Sequence, residues 1–164
     1  CCVVFMNEQD LSERPEWSQK VVNAMVKAQL WTRDNRAETA QLLSSANEQK
    51  YTPHSPEILS RVLTPTDEDL AEYVKTGAVK HPEWRDRRID FQPYPFPTYT
   101  EELVKLLKET HVEGDRAFLD ALDPAFAAKD LVDDSFVKKA IAEAGGLEAF
   151  GLTDAFDRQE VIQA

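Results

Sequence analysis

Helix-start devices punctuate this chain at short intervals, and each one opens an apolar stripe at helical spacing. Ser55-Pro56-Glu57 places a capping hydroxyl, a first-turn proline and an early acid before Ile58, Leu59, Val62 and Leu63. Thr66-Asp67-Glu68-Asp69 repeats the device with acids at the positive end of a helix that carries Leu70, Tyr73 and Val74 and stops near Gly77. Pro15 opens a longer stripe, Trp17, Val21, Met25 and Ala28 widened by Val22 and Leu30, which predicts a helix over 15–32. Asp34 or Asn35 caps a second helix over 37–46, joined too tightly to the first for the two to be anything but neighbours.

Further along, Thr98 with Glu101 has the form of a capping box before Leu103, Val104, Leu106 and Leu107. Gly114 and Asp115 start a short helix with Phe118, Leu119 and Leu122, which Asp123-Pro124 breaks. Asp133 or Asp134 caps a last helix with Phe136, Val137, Ala140 and Ile141, ended by Gly145-Gly146. A chain so punctuated folds as a mainly α protein. Its expected core is Trp17, Val21, Met25, Leu43, Leu106, Leu107, Phe118, Phe136 and Ile141.

Strand is expected at two places. Val3 to Met6 is short, apolar and β-branched, giving a buried strand over 2–7, with Asn7 to Arg14 as a polar connection. Between Lys80 and Thr98, Pro82, Pro93, Pro95 and Pro97 exclude a helix, so the segment runs extended, with a short edge strand over 88–92. Its large side chains, Ile89, Phe91, Tyr94 and Phe96, should find the core. The tail over 151–164 is polar and expected to pack loosely. No repeat, low-complexity linker or obvious domain boundary divides the sequence.

Composition closes off several functions. The net charge is −11, whereas nucleic acid and anionic membrane both select a basic face. No apolar run approaches the roughly 20 residues that span a bilayer, so no membrane insertion is expected. The two cysteines, Cys1 and Cys2, are adjacent. A bridge between neighbours strains the peptide joining them, and His54, His81 and His111 lack ligand spacing, so no metal site is expected. The five glycines form no phosphate cradle. Asp67 to Asp69 and Asp133-Asp134 are acid clusters at helix starts, which capping explains. No catalytic residue, cofactor or enzyme activity is therefore expected.

The order of elements in the first fifty residues is more specific. Cys1-Cys2-Val3-Val4-Phe5-Met6-Asn7 leads through Asp10-Leu11 to Arg14-Pro15-Glu16. Val21-Val22-Asn23-Ala24, Ala28-Gln29-Leu30-Trp31, Asn35-Arg36-Ala37-Glu38 and Ala40-Gln41-Leu42-Leu43 follow. This resembles the strand–helix–helix segment of the nitrate/sulfonate/bicarbonate (and taurine) substrate-binding proteins of ABC transporters. Phe96 to Leu107 and Leu131-Val132-Asp133-Asp134-Ser135-Phe136-Val137-Lys138-Lys139-Ala140 are similar to that family's terminal helices. The resemblance covers most of residues 1–150 and lies in order and spacing, since each motif alone is soft.

It implies a C-terminal segment over 1–150 of a two-lobe α/β fold of the type II periplasmic-binding-protein kind. The first residue is not Met, and the opening reads like the interior of a longer chain. The implied function is capture of a small anionic solute and its delivery to an ABC permease, at the periplasmic or extracellular face of the membrane. Ligand contacts in that family come mostly from elsewhere, so no binding residue carries over; Cys1 and Cys2, by position alone, lie nearest a cleft. A segment of a lobe would leave apolar surface uncovered, and self-association into a homo-oligomer is the expected response.

Two other readings remain at this point. The thiamine-pyrimidine synthase relatives carry a cysteine-rich motif on the same strand, of which only Cys1 and Cys2 are present, followed by Val3 and Val4. A stand-alone helical interaction module, marked by an exposed apolar face, is the other.

Overall fold

A computed structural model describes residues 4–79, 91–152 and 156. The described residues are mainly helical, with no strand among them. They form two compact units, one of residues 1–27 with 93–164 and one of residues 28–92. No linker marks the division because its first boundary falls inside a continuous helix, α2 (Pro15–Asp34). That is why nothing in composition betrays it.

In the first unit the expected polar connection over 7–14 is replaced by a helix, and the described part of the expected strand, residues 4–7, is neither strand nor helix. Phe5 is 94% exposed, and α1 runs Glu8–Glu13. The Asn7 side chain accepts the Gln9 N–H at 2.9 Å, and Glu8 and Asp10 sit in the first turn, where a helix end favours acids. A strand needs a neighbour to satisfy its backbone, and a capped helix satisfies its own. Residues 1–3, with Cys1 and Cys2, lie outside the described residues, as does most of the proposed edge strand over 88–92, of which the described residues Phe91 and Gln92 are not in a strand.

α2 buries a different stripe from the one expected. Ser18, Val22 and Val26 are its buried residues, while Trp17 and Met25 remain close to half exposed and Val21 is intermediate. The face is turned by about one residue. Ser18 can be buried because its hydroxyl donates to the Asp10 carbonyl at 3.1 Å. Trp17 stays on the surface beneath the Arg14 guanidinium, 4.5 Å from its ring centre, a stacking that favours the wet face. Two hydrogen bonds tie α2 to α9 (Ser135–Glu143): Gln19 Nε2 donates to the Phe136 carbonyl at 2.8 Å, and Asn23 Nδ2 donates to Glu143 at 2.7 Å.

α6 (Pro97–Glu109) begins with its proline at the first helical position and Phe96 at the cap, not with the expected Thr98 cap. Pro97, read as an obstacle, is a starter there. α6 packs on α8 (Pro124–Leu131), whose Ala127 and Ala128 are buried, as is Val104 of α6. Alanines at a contact let two helix backbones approach closely. α8 was not expected as a helix, because its Ala-rich face shows no stripe of large apolar groups. Asp123 nevertheless caps it, accepting the Phe126 N–H at 2.7 Å. The short α7 (Ala117–Ala121) is held to the end of α6 by Arg116, which donates to the Lys108 and Thr110 carbonyls and pairs with Asp120.

The core of this unit is Val22, Val26, Tyr94, Phe96, Val104, Leu119, Ala127, Ala128, Val137, Ala140, Ile141 and Phe150. Of the expected core members here, Ile141 is fully buried and Phe136 partly so, while Leu106, Leu107 and Phe118 are exposed. α9 ends as anticipated: Gly145 and Gly146 adopt positive φ, and the Gly146 N–H returns to the Ile141 carbonyl at 2.8 Å. A single 3-10 turn, Leu147–Phe150, follows and buries Phe150.

In the second unit α3 (Arg36–Leu43) packs on α4 (Pro56–Leu63). The connection between them is pinned where the Thr52 N–H and hydroxyl both donate to the Leu43 carbonyl and the Ser45 N–H donates to the His54 carbonyl. Ser55 caps α4, and Thr66 and Asp69 close a reciprocal capping box on α5 (Asp67–Lys75). Among the described residues of this unit, Ala40 and Leu63 are the buried apolar ones; Leu43 is half-buried.

Candidate functional site

A polar arrangement in the first unit joins the segment before α6 to the start of α9. Prolines at 93, 95 and 97 hold that segment extended, which presents Tyr94 and Phe96 on the same side; both are buried, and their rings meet edge to face at 4.9 Å. The Tyr94 hydroxyl donates to Asp134 Oδ2 at 2.6 Å, and Lys138, one helical turn on, pairs with the same oxygen at 2.8 Å. Lys138 Nζ also lies 5.8 Å from the Tyr94 ring centre and 5.2 Å from that of Phe156, which itself packs on Tyr94 at 4.5 Å.

The electrostatics follow from this geometry. Burial, with the hydrogen bond and charge of Asp134, pushes the Tyr94 hydroxyl well above its ordinary range, so it stays protonated and donates. Burial pulls Asp134 upward, but the hydrogen bonds from Lys138 and Tyr94 outweigh it and leave the carboxyl below its ordinary value. At neutral pH the three groups form a neutral donor, an anion and a cation, each already engaged. The arrangement holds two segments together.

Asp133 or Asp134 is expected to cap α9: Asp134 occupies the cap position but makes no side-chain capping bond, its Oδ2 being taken by Tyr94 and Lys138, while Asp133 accepts the Ser135 N–H at 3.0 Å. The other acid cluster, Asp67 to Asp69, lies in the first turn of α5 as expected. His54 and His111 are exposed and separate, and His81, Cys1 and Cys2 lie outside the described residues. Among the described residues no three His, Cys, Asp or Glu side chains gather to hold a metal ion, and no helix is long and apolar enough to cross a membrane.

The tyrosine tie was not anticipated from sequence. Its signals were the i,i+4 spacing of Asp134 and Lys138 and the polar tip of a tyrosine destined for burial, which needs a partner.

An open depression of about 410 Å³ lies between α2 and α9, lined by Pro15, Glu16, Gln19, Lys20, Phe136 and Lys139. Lys20 and Lys139 bring positive charge to its rim, with Glu16 opposing them. Gln19 donates from Nε2 to both Asn23 and the Phe136 carbonyl, while its Oε1 is closed off from solvent and has no hydrogen-bond partner. In the second unit a shallower depression is lined by Glu38, Gln41, Leu42, Ala46 and Asn47.

Comparison of the chain with protein-family models, with curated proteins and with solved structures finds no match in any of the three.

Proposed function

We propose that this chain is part of the substrate-binding component of an ABC uptake transporter, of the kind that captures a small anion such as nitrate, a sulfonate or bicarbonate. The carrying observation is the order and spacing of Phe96 to Leu107 and Leu131 to Ala140, which are similar to that family's terminal helices. Supporting it, those stretches fall on α6 and on the end of α8 and start of α9, within one compact unit. In this reading the protein works by trapping ligand between two lobes that close about a hinge, and by presenting the closed form to the permease outside the cytoplasm. The chain contributes helices to one lobe and most ligand contacts come from elsewhere, so it holds an anion weakly by itself.

The test is calorimetric titration of the whole protein encoded by the parent reading frame, alongside this chain alone, with nitrate, taurine and bicarbonate. Saturable binding of one of them by the whole protein, weakened or lost in the chain alone, is the expected result. A correctly folded whole protein that binds none of the three overturns the reading.

One observation favours a second reading, a helical interaction module. Tyr99, Leu103, Leu106 and Leu107 lie on one side of α6 and are each 40–50% exposed, an apolar arc wider than a solvated helix face needs. Anion titration separates the two: a module should associate through this arc, lose association in Leu106→Glu, and show no anion binding by the whole protein.

A further inference from the structure

We draw no further inference here: the strongest candidate, the exposed apolar arc of α6 formed by Tyr99, Leu103, Leu106 and Leu107, carries nothing because nothing in the structure shows what covers it.

Discussion

Replacing Tyr94 by Phe isolates a single hydroxyl in a site where the ring is otherwise undisturbed. The ring is 3% exposed and packs on Phe96 and Phe156, and phenylalanine keeps those contacts. What is lost is one hydrogen bond of 2.6 Å to a carboxylate. Such bonds contribute about 1.5–3 kcal/mol. Asp134 keeps Lys138 as a partner, and its side chain is 27% exposed, so water can replace part of the loss. The expected cost is therefore about 1–1.5 kcal/mol, read from urea denaturation followed by far-UV circular dichroism, with the m-value unchanged. Tyr94→Ala removes the ring as well and should cost about 3–5 kcal/mol. Combining Tyr94→Phe with Asp134→Asn should cost less than the sum of the two single changes, because both break the same bond.

The pH dependence gives the sharper check. Asp134 titrates below its ordinary value in the folded chain. Its stabilisation is thus full above the unfolded value, about 3.9, and lost as pH falls through the folded one. Tyr94 titrates above its ordinary value, so its contribution is full below about pH 10 and lost as pH rises beyond that. The difference between wild type and Tyr94→Phe should be flat from about pH 5 to 9 and shrink at both ends. A Phe variant as stable as wild type at pH 7, or additive single changes, would refute the tie between these segments.

Ile141 is 1% exposed and Phe118 is 74% exposed; Ile141→Ala should cost about 2–5 kcal/mol and Phe118→Ala less than about 0.5 kcal/mol, and equal losses in denaturation would show the α9 core to be misassigned. Thr66→Ala removes the hydroxyl that accepts the Asp69 N–H, and should destabilise by about 1 kcal/mol; no change in the denaturation midpoint would mean that α5 holds without its cap. On the interaction-module reading, self-association through the α6 arc should strengthen with added salt, because copies carrying a net charge of −11 repel at low ionic strength; a clean monomer at high concentration and high salt in sedimentation would overturn that reading.

Local signals along the chain specify helix for most of the described residues, and where most of those helices start and stop. Ser55-Pro56, Thr66 to Asp69 and Gly145-Gly146 are local devices: a side chain reaching a backbone group two or three residues away, or a glycine accepting positive φ. Such signals need no tertiary partner, so they are legible in one dimension. Asn7 is a device of the same kind, masked in the sequence by the apolar run before it.

Tertiary structure decided which side of each helix is inside. α2 carries apolar residues around more than one face, and Ser18, Val22 and Val26 turn inward rather than Trp17, Val21 and Met25. The cause is packing: a serine whose hydroxyl finds a carbonyl can enter a tight contact, while a tryptophan with an arginine above it gains from staying at the surface. α8 was illegible for a related reason, since alanine at a helix contact carries almost no hydrophobic signal and acquires its role only from the neighbour that approaches it. The same holds for the tie between Tyr94 and Asp134, forty positions apart, because a hydrogen bond over that separation exists only once the chain has brought its two ends together.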